Sequence, residues 1–154
     1  MVTKENFKKI KKITEEFFKK TGLEIGVKIS SEKDLTIPIE LKTEDPQSLI
    51  GEGGETLAEI QHLLKAILKK QIPEEIFHID LDVNDYKKKK ADYLKELARS
   101  SADEVSLSKK EKTLPPMRAF ERRIVHLELS AREDVETASS GEEPERCVVI
   151  KPRP

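Results

Sequence analysis

The stretch LPPMRAFERRIVH, residues 114–126, decides how the last third of the chain folds. Its two adjacent prolines cannot continue a helix, but their fixed φ is tolerated in the approach to one. Beyond them, Phe120, Ile124 and Leu127 recur at offsets of four and three, which predicts a helix with one apolar face. We expect this helix to end near Ala131.

A second face of the same helix carries Arg118, Arg122 and His126, each four residues apart. Two guanidiniums and an imidazole in a row, with no carboxylate at the same spacing, predict a surface that binds an anion. Arg122 is a principal candidate because a guanidinium offers phosphate oxygens a planar fork of donors. His126, one turn further, can donate to a phosphate or ribose or stack under a base. The alternative is structural: Arg122 pairs with a carboxylate, and His126 packs half-buried. Arg123 points away from this row and is expected to serve structure.

The spacing Arg122-x-x-x-His126 after LPPM resembles the Arg-x-x-x-His (R-three-H) domain, a small module that binds single-stranded nucleic acid. A short strand is expected at 112–114, and later strands at about 135–139 and 146–150 flank a turn that three glutamates keep in water. We expect Thr137, Ser139 and Arg146 to supplement the site from this sheet. The tail follows the order of the bacterial Jag (KhpB) proteins, with Val135, Thr137, Ser139, Gly141, Pro144, Arg146 and Val-Val-Ile at 148–150.

Composition restricts how such a chain can bind. Its 154 residues suffice for one ordinary domain or two small ones. A formal net charge of −1 excludes general basicity, so nucleic acid must be bound through local patches, and only 5% of residues are aromatic. The single Cys147 excludes an internal disulfide and fits a reducing cytoplasm. No stretch is long enough to insert into a membrane. A soluble, cytoplasmic protein is predicted.

The N-terminal third predicts a helix followed by a hairpin. Thr3 caps the helix and Gly22 ends it. Residues 23–30 and 35–41 then alternate apolar and polar side chains, the pattern of two half-buried strands. Pro38 lies in the second run and cannot donate to a ladder, so an edge position or a bulge is expected there.

A helix start at Asp45 leads to a glycine-rich loop at 51–54, a helix to about Gln71 and a strand at 77–83. The resulting order, helix, strand, strand, short helix, glycine loop, helix, strand, resembles the type II K-homology (KH) fold. In that fold the loop has the pattern Gly-x-x-Gly, here Gly51 and Gly54. It lets a nucleic-acid backbone approach closely and meet free amide donors.

The centre of this loop departs from the KH pattern, in which the two middle residues are usually basic or neutral. Here they are Glu52 and Gly53, and Glu55 follows. Acids at a helix N-terminus stabilise the helix, but they repel a phosphate at the point of contact. Contact with nucleic acid and a role in packing or dimerisation both stay open for this loop.

Asn84 and Asp85 are expected to cap a long helix that runs to about Leu107. The prediction is therefore an α+β chain of two small α/β sandwich domains joined by a long helix. The first, at 1–83, is KH-like, and the second, at 84–154, is an R-three-H domain.

Other charged groups are less informative. The four lysines at 87–90 either steer a polyanion or solvate their helix. Asp80 and Asp82 share one strand face, as at the start of a metal-dependent nuclease site, but a polar strand face is the favoured interpretation. The three histidines are scattered and the cysteine stands alone, so no metal, cofactor or enzymatic activity is expected.

The two resemblances cover the chain and imply a cytoplasmic regulator that binds single-stranded RNA, or single-stranded DNA, without a cofactor. Jag proteins usually carry a further N-terminal domain, whereas this sequence begins at the KH helix, so the resemblance does not transfer the functions of that domain to it. The alternative function is a protein–protein adaptor that forms a homodimer, or a heterodimer with another small KH protein. The acidic loop at 51–54 and the near-zero net charge favour it.

Overall fold

Six strands form two separate three-stranded sheets in the computed structural model, which describes all of Met1–Pro154. The chain divides into two compact units, Met1–Lys87 and Lys88–Pro154, and each sheet has its own hydrophobic core. The predicted α+β fold class with small α/β units is confirmed. No helix combines the length and the apolar character that a membrane span requires.

The first unit is built on a mixed sheet covered on one face by helices. Its elements are α1 (Lys4–Lys19), β1 (Gly26–Ile29), β2 (Thr36–Lys42), α2 (Pro46–Ile50), α3 (Glu55–Gln71) and β3 (His78–Val83). Strand β2 is central, antiparallel to β1 and parallel to β3. The alternation seen in the sequence therefore directs one side of the sheet onto the helices. This core contains Ile10, Phe18, Ile37, Ile39, Leu41, Leu64, Leu68, Ile79, Leu81 and Val83.

The expected edge position or bulge at Pro38 is wrong, because Pro38 lies within the central strand in an unbroken register. Its carbonyl accepts a hydrogen bond from the Ser30 N–H at 3.1 Å, one residue beyond the end of β1 at Ile29. In an antiparallel pair, the backbone N and O of one residue point toward the same neighbouring strand. The Pro38 nitrogen therefore faces Ser30, just beyond the end of β1. The missing donor therefore removes only the last possible bond between β1 and β2.

The cap of α1 is confirmed, and the helix ends three residues before Gly22. The Thr3 hydroxyl accepts the Asn6 N–H at 3.2 Å, as a helix N-cap does. The helix stops at Lys19, and Gly22 lies beyond it with φ +76°. The chain thus leaves the helix before the glycine, through a turn closed by hydrogen bonds to carbonyls of the last helical turn.

The hairpin forms, but the apolar alternation overstates the length of β1 and begins β2 one residue too early. Leu23 is exposed before β1 begins, and Leu35 is exposed in the turn with φ +62°. Lys33 and Thr36 exchange two backbone hydrogen bonds of 2.9 Å around that turn, in which Asp34 also has a positive φ. Two consecutive positive φ values match the twist that a tight hairpin requires.

The predicted cap at Asn84 and Asp85 is wrong, since both residues have positive φ and precede the long helix without capping it. The Asn84 side chain instead bridges to Thr43, accepting its N–H at 3.1 Å and donating to its carbonyl at 2.8 Å. The carboxylate of Asp82 accepts the N–H of Lys87, in the first turn of the helix, at 3.2 Å. A strand side chain therefore serves the helix start.

The second unit contains most of α4 (Tyr86–Ser108), then β4 (Lys112–Thr113), α5 (Ala119–Leu129), β5 (Val135–Ser140) and β6 (Cys147–Pro152). Strand β6 is central and antiparallel to both neighbours. The segment between β4 and α5 is hydrogen-bonded to β6 and to the residue before it, because the Leu114 N–H donates to the Val148 carbonyl at 2.9 Å and the Met117 N–H to the Arg146 carbonyl at 3.1 Å. The core of this unit includes Leu94, Ala98, Val105, Val125, Leu129, Val135, Val148 and Ile150.

The apolar face predicted for α5 is wrong. Phe120 is 54% exposed and Leu127 is 64% exposed, whereas Val125 and Leu129 are buried. Ile124 is half-buried at the edge of the core. The face turned inward also includes Glu121 and Arg122, which are buried and have polar partners. Hydrophobic spacing identified a helix, but two satisfied charged residues lie on the face that meets the sheet and α4.

Candidate nucleic-acid interface

Arg122 is buried on the inner face of α5 and already binds an anionic group. Its guanidinium donates to the Met117 carbonyl at 2.7 Å and to a Glu143 carboxylate oxygen at 2.9 Å. The side chain of Arg122 is 9% exposed, whereas that of Glu143 is 59% exposed. The contact therefore joins a fixed, desolvated cation to a carboxylate that solvent reaches.

His126 is held between two hydroxyl groups of β5. Its Nδ1 lies 2.7 Å from the Thr137 hydroxyl and its Nε2 lies 2.8 Å from the Ser139 hydroxyl. Burial, and then the positive charge of Arg122, lower the pKa of His126 below its ordinary value. A neutral imidazole has one donor and one acceptor nitrogen, and hydroxyls can complement either tautomer. His126 is therefore a neutral, half-buried link between α5 and β5.

The predicted row of three cationic residues on one helical face is not formed. Arg118 is the N-cap of α5 and has an extended backbone, so it lies outside the helix. Its N–H donates to Glu121 at 2.9 Å. Arg122 and His126 make the contacts expected of a structural pair. Arg146 is half-buried and donates to the Gly141 carbonyl at 2.6 Å, within the turn between β5 and β6.

The outward side of α5 carries Arg123 and not the predicted Arg122. Arg123, expected to serve structure, is exposed and makes no ion pair within 4 Å. The carboxylates of the helix face α4, where Glu121 lies 3.7 Å from Lys90 and Glu128 lies 2.8 Å from Arg99. The sequence analysis placed Arg122 on the surface, whereas Arg123 is the exposed one. Two adjacent arginines lie on different faces of a helix, and the sequence did not show which face is turned outward.

The glycine loop of the first unit is shaped by Gly51 in particular. Its φ of 71° and ψ of −175° form a conformation open essentially to glycine alone. A Cβ at Gly51 would lie 2.1 Å from the Thr56 hydroxyl oxygen, so the helix start leaves it no room. Gly53, with φ +59°, has open space around it. The loop therefore has one closed glycine position and one that faces solvent.

The remaining positions of the loop show how it is held and charged. A Cβ at Gly54 would lie 3.3 Å from the Tyr86 ring, at the end of the same unit. Glu52 and Glu55 are exposed and make no ion pair within 4 Å. The two acids therefore leave a net negative charge on this loop.

The lysines at the start of α4 do not form a uniform patch. Lys87 pairs with Asp80 and Lys90 with Glu121, and Lys90 also lies 5.6 Å from the centre of the Tyr93 ring. Asp80 and Asp82 thus both have protein partners. No group of three histidine, cysteine or acidic side chains comes close enough to hold a metal ion.

Residues 92–152, nearly all of the second unit, match the R-three-H domain. The chain is 32% identical over 137 residues to the RNA-binding protein KhpB of Clostridium symbiosum, which covers 88% of this chain and 61% of that protein. The chain is a homologue of the KhpB proteins. It is also 33% identical over 135 residues to the RNA-binding protein KhpB of Bacillus subtilis, covering 82% and 64%. The chain thus spans less than two thirds of these relatives.

A third relative, the RNA-binding protein KhpB of Lactiplantibacillus plantarum, is 38% identical over 102 residues, 66% of this chain. Six of the predicted site residues lie inside the R-three-H match, and the structure brings His126 together with Thr137 and Ser139 there, close enough to Arg122 to feel its charge. Glu143, the partner of Arg122, was expected only to solvate its turn. No carboxylate lies three or four residues from Arg122 along the helix. This absence was the signal that a partner had to come from another element.

Proposed function

We propose that the chain binds single-stranded nucleic acid, RNA in the first place, through its R-three-H domain. The matched relatives carry the name RNA-binding protein, and the Arg122–His126 pair lies inside the R-three-H match. The proposed activity is binding, without catalysis or a cofactor. The proposed place of action is the cytoplasm.

The observation that carries the proposal is the contact between Arg122 and Glu143. A buried guanidinium needs an anionic partner, since an unpaired buried charge is strongly destabilising. The carboxylate that meets this need is largely exposed, on a turn rich in glutamate. A phosphate presents the same paired oxygens to a guanidinium fork. We therefore assign phosphate binding to an exchange in which a nucleic-acid phosphate replaces the Glu143 carboxylate.

The neighbouring polar groups support this exchange without supplying much charge. His126 is neutral, so its part is to hold α5 against β5 through Thr137 and, when a ligand is bound, to offer a ring N–H. Arg118, at the helix start, and Arg146, beside Gly141, add cations to this domain. Affinity that rests on phosphate contacts should fall steeply as salt rises.

The first unit is proposed as a KH-like domain over 1–83, with residues 84–154 as the R-three-H domain. Its element order and a central strand parallel to the last strand support this assignment. In it, Gly51 shapes the loop and Gly54 fits against Tyr86, so that backbone amides at the start of α3 can meet a phosphate. Glu52 and Glu55 weaken such contact, so the loop is proposed as a secondary site.

A second candidate function is a protein–protein adaptor, either as a homodimer or with another small KH protein. The exposed, unpaired Glu52 and Glu55 favour it, because they disfavour nucleic acid at the loop of the first unit. In this case purified protein would carry no nucleic acid, and the absorbance ratio of the preparation would be that of clean protein.

The exchange is tested with the variants Glu143→Gln and Glu142→Gln, in binding titrations with single-stranded RNA at low and physiological salt. Both changes remove one negative charge from the same exposed turn, but only Glu143 contacts Arg122. The pair is worth at most about 1 kcal/mol because Glu143 is exposed. Glu143→Gln should therefore bind RNA up to about five-fold more tightly than Glu142→Gln.

Equal affinities of the two variants would overturn the exchange at Arg122 while leaving RNA binding in place. Absence of RNA binding by the wild-type chain would overturn the proposed function and favour the adaptor. A matched titration with single-stranded DNA compares the two nucleic acids.

A further inference from the structure

The outward side of α5 presents an apolar and cationic surface that the proposed phosphate exchange does not use. Phe120, Arg123 and Leu127 follow one another at offsets of three and four and therefore share one helical face, which we call the outer stripe. Phe120 is 54% exposed and Leu127 is 64% exposed. Seven residues of helix place them about 10 Å apart along its axis.

Phe120 differs in its surroundings from the other aromatic residues of the chain. The chain has five phenylalanines, and Phe120 is the one that is exposed. The other four are packed in or against the core of the first unit: Phe7, Phe17, Phe18 and Phe77. Tyr93 is similarly exposed, at 59%, but Lys90 already lies over its ring. Phe120 thus offers a large flat face for which the chain supplies no cation partner.

The charge on the outer stripe favours an anionic ligand. Arg123 has no carboxylate within 4 Å, whereas Glu121 and Glu128 of the same helix are both held by cations of α4. The stripe therefore combines an aromatic ring, an aliphatic side chain and one uncompensated guanidinium. An aromatic face beside a cation is the combination that binds single-stranded nucleic acid, because every base has a π-face and every nucleotide carries a phosphate.

We infer that the outer stripe is the base-contacting surface of the R-three-H domain. Phe120 stacks on an unpaired base, Leu127 extends the apolar contact, and Arg123 binds a neighbouring phosphate. The inference rests on the proposed function and adds to it a division of labour. Buried Arg122 takes a phosphate in place of Glu143, whereas the outer stripe distinguishes single strands, whose bases are free to stack, from duplexes.

The first test measures single-stranded RNA affinity for Phe120→Leu and Arg123→Gln. Leucine keeps an apolar side chain but removes the flat ring, so affinity should fall about 5- to 100-fold if a base stacks there. Arg123→Gln should weaken binding and lower the salt slope by about 0.7, the value for one phosphate on a single strand. Tyr93→Leu, at a similarly exposed ring, is the matched control and should bind like wild type.

A second measurement separates bases from backbone by using an abasic oligonucleotide of the same length. Wild type should bind it more weakly than normal RNA. Phe120→Leu should bind the abasic oligonucleotide with the same affinity as wild type, because the contact removed by the mutation is already absent. Phe120→Trp should restore binding to normal RNA, since it restores an aromatic face.

The outcomes distinguish this inference from the proposed function. If wild type binds RNA and Phe120→Leu binds equally well, the outer stripe is not the base surface, and the proposal for the R-three-H domain stands without it. If Phe120→Leu weakens RNA and abasic ligand alike, the ring serves packing and the stacking inference is overturned. If wild type binds no RNA, both proposals are overturned together.

Discussion

Replacement of Arg122 by methionine should show how much of the R-three-H domain depends on this one buried guanidinium. Methionine keeps an apolar stem of similar length but deletes the donors to Met117 and Glu143. Loss of a charged donor to the buried Met117 carbonyl costs about 1.5–3 kcal/mol. Loss of the pair with exposed Glu143 adds about 0–1 kcal/mol. We therefore expect the second unit to lose about 1.5–4 kcal/mol of unfolding free energy.

The measurement is hydrogen exchange at the backbone amides of β6, the central strand of the second unit, whose most protected amides report its global unfolding. Arg123→Met is the matched control, because it makes the same chemical change at an exposed arginine without an ion pair. Its free energy of unfolding should stay within about 0.5 kcal/mol of wild type. Glu143→Gln should lose less than about 1 kcal/mol.

Equal losses for Arg122→Met and Arg123→Met would refute the reasoning, because the buried bond to the Met117 carbonyl would then contribute nothing. A large loss for Arg122→Met alone has a practical consequence for binding studies. The RNA affinity of any Arg122 variant must then be compared at equal folded fraction, whereas Glu143, Phe120 and Arg123 variants can be compared directly.

Three further predictions concern stability. The pKa of His126 in the folded chain lies below its ordinary 6.5, so the unfolded chain takes up the proton first. The contribution of His126 to the stability of the second unit should be complete above about pH 6.5 and should fall as the pH drops toward the folded-state pKa. Urea titrations at several pH values should find this dependence reduced in His126→Gln. Gly51→Ala should cost more than about 2 kcal/mol and Gly53→Ala about 1–2 kcal/mol in thermal or urea unfolding, since only the first also clashes. Asp82→Ala should lower the free energy of unfolding by about 1 kcal/mol, because it removes the acceptor for the Lys87 N–H in the first turn of α4. Asp82→Asn keeps an oxygen acceptor and should retain most of that stability.

The elements of the first unit were predictable because alternation and turn residues act locally. The strands around Ile39 and Leu81 follow directly from period-two patterns. The position of Pro38 was not predictable in the same way. Its tolerance in a central strand depends on where the neighbouring strand ends, which is a property of the partner and not of the strand itself.

In the R-three-H domain, local spacing predicted α5, β5 and β6 but not the orientation of the helix. Phe120, Ile124 and Leu127 form a better apolar stripe than Val125 and Leu129 do, yet the second pair is buried. The orientation of α5 depends on the partners of Glu121 and Arg122. Some of these partners are side chains far away in the sequence, and the others are backbone groups, which no side-chain pattern indicates. The candidate pair was found from spacing alone, whereas its engagement with Glu143 and β5 required the folded arrangement.

The peptide group between Met117 and Arg118 makes hydrogen bonds with two adjacent residues of α5. Its carbonyl accepts a hydrogen bond from the Arg122 guanidinium, and its N–H donates to the Glu121 carboxylate. Any change in the hydrogen bonding of a carbonyl alters the electron distribution of the amide to which it is bonded. The Arg118 amide is therefore a natural spectroscopic reporter on the partner of Arg122, and its NMR resonance would register exchange of carboxylate for phosphate without any added label.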